Sequence, residues 1–233
     1  MRSSDLPQVR ALGLFNSMGA ENFEALMQAA YLQTFPPQLD LVHEGDPADF
    51  LYVVIEGCVE LYANANRREA TMAMVHPVSA FILAAVLKDA VYLMSARTRA
   101  RSKILLIPSE NVRSIFELDD AFARAMVLEM AGSYRYVIKE HKGLKLRSSV
   151  ERLANTLLRQ DHEFGNGSGT FELPYDKRTL ASLLGMTPEN LSRAFNTLKP
   201  YGVEVDGTTI RLSDITSLKT LAKPTPLIDD PKT

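Results

Sequence analysis

The sequence predicts an α+β chain in three successive parts: an antiparallel β-roll led in by short helices, one long helix, and a small helical module carrying a β-hairpin. Three observations carry this. Between Leu39 and Ile107 short apolar runs alternate with turn signals. From Asp119 to Leu146 there is no proline, and apolar residues recur three and four positions apart. Val203-Glu204-Val205 and Thr209-Ile210-Arg211-Leu212 are alternating runs joined across Asp206-Gly207, a hairpin signal.

Taken in order, residues 8 to 30 place Leu12, Leu14, Phe15, Phe23, Leu26, Met27 and Ala30 at helical spacings. After Pro36-Pro37 come strand-like runs at Leu41-Val42, Phe50 to Ile55, Val59 to Tyr62, Thr71 to Val75, Val91 to Met94 and Ile104 to Ile107. Gly45-Asp46-Pro47 and Glu56-Gly57 punctuate them. Many short strands spaced this way predict an antiparallel barrel or jelly roll.

Pro108-Ser109 then opens helical territory. In the long helix Val127, Met130, Tyr134, Val137, His141 and Leu144 follow a 3-4-3-4-3 spacing, the a/d seam of a two-stranded coiled coil. They are the expected dimerisation residues; the other reading is a helix lying on its own roll. A further helix, about Ser149 to Gln160, ends in the loop chemistry of Gly165 to Gly169. A short strand from Thr170 to Leu173 precedes helices at about Lys177 to Leu184 and Pro188 to Leu198. The prolines after Lys223 predict a disordered tail. The expected divisions are therefore 1–118, 119–147, 148–223 and 224–233.

Bulk properties narrow the class. With 46% hydrophobic and 23% charged residues, the 233-residue chain reads as globular. Residues 145–223 carry 11 basic side chains against 9 acidic ones, and the first 144 carry 14 against 17. That asymmetry is too small to point to nucleic acid by itself. No run approaches 18 apolar residues, Met1 to Asp5 do not open a signal peptide, and the single cysteine, Cys58, excludes an intramolecular disulfide framework. The cytoplasm is the expected compartment, with no membrane partner. No HExxH, CxxC or GxxxxGK[ST] occurs, nor a nucleophile–base set, so an enzyme is not expected.

The sharpest local signal runs from Thr179 to Arg193. Ala181 is small where two helices cross closely, and Gly185 tolerates the left-handed conformation that ends the first helix. Thr187 is a good N-cap and Pro188 a good first helical residue. Leu180, Leu184, Leu191, Ala194, Phe195 and Leu198 form the expected buried faces. This is a helix-turn-helix with the hairpin as its wing. The candidate DNA-binding residues are Thr187, Glu189, Asn190, Ser192 and Arg193. Arg pairs with guanine O6 and N7, Glu accepts from cytosine N4, and Ser serves either. Glu189 also offsets the helix dipole and can pair with Arg193 four residues on.

These residues together resemble the CRP/FNR superfamily of bacterial regulators. One block carrying the resemblance is Glu44 to Tyr62, similar to the family's β-roll signature with its Gly-Asp turn, Tyr-x-Val strand and second turn glycine. The other is the helix-turn-helix, whose Glu189, Ser192 and Arg193 look more like the FNR/FixK/Dnr branch than the cyclic-AMP receptor branch. The resemblance implies a homodimeric transcription regulator reading palindromic half-sites similar to TTGAT or TTGAC, its recognition helices one DNA turn (roughly 34 Å) apart. RNA polymerase is the partner it implies for an activator.

The sensor departs from the ligand-binding members. Cyclic-nucleotide binders have Phe-Gly-Glu and Arg-Ser/Thr-Ala where this chain reads Phe81-Ile82-Leu83 and Met94-Ser95-Ala96. Leu83 cannot accept a ribose hydroxyl and Met94 cannot neutralise a phosphate, so cyclic AMP is not expected in the usual pocket. An effector of another kind is assigned to Phe81, Leu83, Met94 and Ser95. Arg97, Arg99 and Arg101 alternate as on one strand face, read as solvated. One thiol cannot hold an iron–sulfur cluster. A haem, as in gas-sensing members, requires an axial ligand from His43, His76, His141 or His162. Cys58 reads as a small hydrophobe inside a strand, with a thiol switch as its other role. A protein-interaction module reusing the roll is the competing function from another class.

Overall fold

The structure, a computed structural model, describes residues 1–66 and 68–230. It divides into two compact units, Met1–Tyr134 and Arg135–Thr233.

In the first unit, helices α1 (Leu6–Arg10) and α2 (Ala20–Gln28) precede strands β1 (Tyr31–Phe35), β2 (Asp40–Val42), β3 (Phe50–Glu56), β4 (Val59–Ala65), β5 (Arg68–Val75) and β6 (Ser79–Phe81). Helix α3 (Leu83–Lys88), strands β7 (Ser95–Thr98) and β8 (Ser102–Pro108), and helix α4 (Ser109–Leu118) follow. The strands form two antiparallel sheets, ordered β1-β8-β3-β6 and β2-β7-β4-β5. Leu51 through Ile55 are all buried, so β3 is covered on both faces; this is why it reads as a continuous apolar run. Val53 pairs with Leu105 of β8, and Tyr52 stacks on Phe81 at 5.3 Å between ring centroids.

The expected strand at Val91 to Met94 is displaced. Val91 and Leu93 are exposed, and the strand begins at Ser95. Its polar sequence is tolerated because Arg97 is neutralised across the sheet. Its Nε donates to Glu60 of β4 at 2.8 Å, its NH2 donates to Glu69 of β5 at 2.6 Å, and the guanidinium lies over Tyr62. Glu60 is only 1% exposed and also accepts from Thr71 and Arg99. Arg97 and Arg99 are therefore ion-paired to a buried carboxylate rather than solvated, while Arg101 is exposed beyond β7. A buried carboxylate persists only when its oxygens are met in this way.

Helix α5 (Asp120–Leu146) continues from the first unit into the second. Its start is fixed by Asp119, whose carboxylate accepts the N–H groups of Phe122 at 2.9 Å and Gly19 at 2.8 Å, and the Asn22 amide at 3.0 Å. Burial alone would raise this carboxyl, but those donors outweigh it and hold it below its ordinary value. A depressed folded pKa stabilises fully above the unfolded value and is lost as pH falls through the folded one. Asp119→Asn is therefore expected to lower stability by about 1–2 kcal/mol at neutral pH. Its melting temperature should converge on the wild type's as pH drops below the ordinary carboxylate range. A gap that stays constant down to acid unfolding would contradict this role. Further along α5, Glu129 accepts from the Ser79 hydroxyl and the Ala80 N–H, tying the helix to β6.

The second unit continues with α6 (Ser149–Phe164), β9 (Thr170–Glu172), α7 (Lys177–Leu183), α8 (Pro188–Leu198), β10 (Val203–Asp206), β11 (Thr209–Leu212), α9 (Ile215–Ala222) and α10 (Pro226–Asp229). Ser148 and Glu151 make a full capping box at the start of α6. The sheet is ordered β10-β11-β9, with Val203 opposite Leu212 and Ile210 opposite Phe171. Leu153, Leu157, Leu180, Leu191, Leu198 and Ile210 lie at the centre of this unit's own core. The tail, expected to be disordered, is instead helical over Pro226–Asp229, because Asp229 is bound by Arg147. Residues 231–233 of that expected tail lie outside the described residues.

Candidate nucleic-acid interface

Helices α7 and α8 with their turn are built as the pattern predicts. Asp176 caps α7 by accepting the Thr179 N–H at 2.8 Å. The helix closes in a Schellman turn: the Met186 N–H donates to Ala181 O at 3.0 Å and the Gly185 N–H to Ser182 O at 2.9 Å. Gly185 has φ +60, and a Cβ there would lie 2.8 Å from Leu144 Cδ2 at the end of α5. The left-handed backbone requires glycine, while the leucine end, on a flexible side chain, could shift. The Arg152 Nε donates to Leu184 O at 3.0 Å, fixing the same turn against α6.

Thr187 caps α8, its hydroxyl accepting the Asn190 N–H at 3.3 Å. Leu191, Ala194, Phe195 and Leu198 turn inward at helical spacing, which leaves Glu189, Asn190, Ser192 and Arg193 exposed with Thr187. The Arg193 NH2 donates to Asn190 Oδ1 at 2.6 Å, a contact within the helix, while its pairing with Glu189 is by charge alone. The guanidinium is thereby aimed while its other donors stay available. Glu189 folds back on its own N–H and the Thr187 hydroxyl, which hold its carboxyl below the ordinary range with a smaller contribution from Arg193. The face is thus a row of one fixed cation, one anion and three neutral polar groups, a chemistry suited to base edges in a major groove.

Sequence reasoning missed the flanks of this face. Lys177 and Arg178 are exposed in the first turn of α7, and Arg211 is exposed on the hairpin. Glu172 accepts from the Thr208 and Thr209 hydroxyls at 2.6 Å each, which holds the hairpin tip to β9. The clue was a pair of basic residues directly after an N-cap, a position suited to a phosphate group.

Two family models match separate parts of the chain. A cyclic nucleotide-binding domain matches residues 32–119 and a Crp-like helix-turn-helix domain matches residues 151–221, between them more than half of the chain. No curated protein matches the sequence. Among solved structures, a regulatory protein from Silicibacter pomeroyi described as cAMP-binding is 27% identical, with a TM-score of 0.59 over 96% of this chain and 100% of its own. FixK2 from Bradyrhizobium japonicum is 23% identical, with a TM-score of 0.72 over 84% and 98%. A transcriptional regulator assigned to the CRP/FNR family from Eubacterium rectale is 18% identical, with a TM-score of 0.75 over 91% and 99%. The chain belongs to the CRP/FNR superfamily of transcription regulators.

Within a CRP/FNR roll, the residues expected to form an effector pocket are largely core. Phe81 and Leu83 are buried, Met94 packs against the same cluster, and the Ser95 hydroxyl accepts the Glu44 N–H at 3.0 Å. Leu83 and Met94 bring neither a carboxylate nor a cation to this part of the roll. Ile82 takes φ +61 between β6 and α3, a strained conformation for a β-branched residue. Of the histidines, His43, His141 and His162 are exposed and His76 is half-buried at the end of β5, and none of them belongs to the roll's core. Cys58 lies in the β3–β4 turn rather than inside a strand. Burial pushes its thiol up to about 11, which keeps it protonated and unreactive at neutral pH. Among the described residues there is no cluster suited to a metal ion and no helix long and apolar enough to cross a membrane.

Proposed function

We propose that this CRP/FNR regulator works as a homodimer that reads a palindromic site similar to TTGAT-N4-ATCAA through α8. The observation that carries the reading is the exposed row of Glu189, Ser192 and Arg193, with Arg193 held by Asn190 at 2.6 Å. Dimerisation is supported by the seam on α5, where Val127, Tyr134, Val137 and Leu144 are exposed in the single chain. Tyr134 and Val137, at 68% and 59%, are apolar surface that an isolated helix would not retain without a partner. Met130 is half-buried against the roll's core, and His141 is exposed beside the apolar row.

The signal is proposed to act where Glu129 meets Ser79 and Ala80, so that repacking beside β6 biases α5. RNA polymerase is the proposed partner in activation, and the cytoplasm the proposed compartment. Fluorescence anisotropy of the purified protein on the TTGAT-N4-ATCAA duplex and on a scrambled control, at one fixed salt concentration, tests the reading. Binding at least tenfold tighter to the palindrome supports it. Equal binding to both duplexes rejects this half-site.

A further inference from the structure

Helix α10 is bound at the joint where α5 ends and α6 begins. Arg147, in that joint, donates to Asp229 twice, NH1 to Oδ1 at 2.7 Å and NH2 to Oδ2 at 2.5 Å. Asp229 Oδ2 also accepts the Thr225 N–H at 2.7 Å, and Lys139 of α5 donates its Nζ to the Asp230 carbonyl at 2.6 Å. The surrounding pocket is lined by Lys139, Arg147, Arg152 and Arg159, with Glu140 and Asp229 as its acidic groups. Arg152 donates to the carbonyls of Leu184 and Arg147, and burial lowers its pKa without a carboxylate to offset it. With the tail seated, the remaining cavity is about 30 Å³, room for roughly two waters.

Arg159 is met by Glu140 at 3.4 Å, while Lys139, Arg147 and Arg152 repel one another, and in a partly desolvated site that repulsion must be met by an anion. Here the chain supplies it. Burial alone would raise the Asp229 carboxyl, but the Arg147 hydrogen bonds, the Thr225 N–H and the cations of Arg147 and Arg159 hold it below its ordinary value. It stays ionised at neutral pH. The guanidinium fork that grips Asp229 is equally suited to a phosphate, which brings more acceptor oxygens and more charge than a carboxylate.

We propose that the pocket at the α5–α6 joint is an anion-binding site, which Asp229 fills as a tethered ligand and a phosphate-bearing small molecule fills when it displaces the tail. Occupancy by either anion clamps Arg147, at the joint, to its surroundings. Exchanging one for the other changes what the joint is tied to, which couples the small molecule to the attitude of α6 and the helices packed on it.

Calorimetric titration of the full-length protein with inorganic pyrophosphate, at constant ionic strength made up with chloride, tests this without DNA. Its outcome is therefore independent of the DNA-reading proposal. Asp229→Ala is expected to bind pyrophosphate at least tenfold more tightly than the wild type, because the competing carboxylate is gone. Adding Arg147→Gln should remove that gain. Should Asp229→Ala fold too poorly to titrate, Asp229→Asn, which keeps the side-chain shape, gives the same order. Equal affinity of wild type and Asp229 variant, or undiminished affinity in the double variant, overturns the proposal. A nucleoside diphosphate run in parallel identifies the source: tighter binding than pyrophosphate assigns the site to nucleotides, and equal binding assigns it to phosphate alone.

Discussion

Arg193→Ala is expected to weaken binding to the palindromic duplex by about 1–3 kcal/mol per half-site, roughly 5- to 150-fold, while binding to scrambled DNA changes far less. The residue is solvent-exposed and outside the α8 core, so the substitution removes an exposed cation and not a structural group. Only Asn190 loses a hydrogen-bond partner, and it is exposed to water. The melting temperature should therefore hold. Glu189→Ala provides the contrast, since it removes an acceptor without removing a cation: base preference at its position should relax while non-specific affinity holds or rises. Parallel loss on specific and scrambled duplexes for both variants would show that α8 does not read bases.

Val137→Glu is expected to turn the proposed dimer into a monomer. In the single chain this side chain is exposed, so a charge costs the chain's own fold within about 0.5 kcal/mol. In a paired seam two carboxylates would be forced together between apolar neighbours, a penalty of several kcal/mol, or three decades or more in dimer dissociation constant. Sedimentation velocity reads the change directly. DNA affinity should fall with it, because two half-sites would no longer be read by one body. A variant that still sediments as a dimer would place the interface elsewhere on the chain.

Legibility in the sequence followed the range of the interactions concerned. α8 could be read to the residue because everything that fixes it is local: a Thr187 cap, Pro188 at the first position, and inward residues at i, i+3, i+4 and i+7. β3 announced itself because burial on both faces needs an unbroken apolar run. β7 was misplaced because its burial depends on Glu60 and Glu69, which lie on other strands and neutralise Arg97 only once the sheet has formed. Val91 and Leu93, apolar yet exposed, supplied a false signal next to it. β1 was missed because Tyr31–Phe35 shows no clean alternation. The tail was misread for the same reason as β7: Asp229 is ordered by Arg147, 82 residues away. Within the candidate site, the reading residues were visible as types, whereas the aim of Arg193 toward Asn190 is a matter of rotamer.

The close fit of Leu144 against Gly185 bears on how freely this molecule can be recombined. Leu144 belongs to the apolar row of α5, and its Cδ2 occupies the space a side chain at 185 would need. The leucine can turn aside, so what binds the turn after α7 to its glycine is the left-handed backbone at 185. A chimaera that grafts a foreign reading module after Arg147 keeps an unstrained turn only if the donor brings its own glycine there, whatever stands at 144. Exchange confined to the outward positions of α8 leaves this fit untouched, and it is the route by which a new binding preference can be installed.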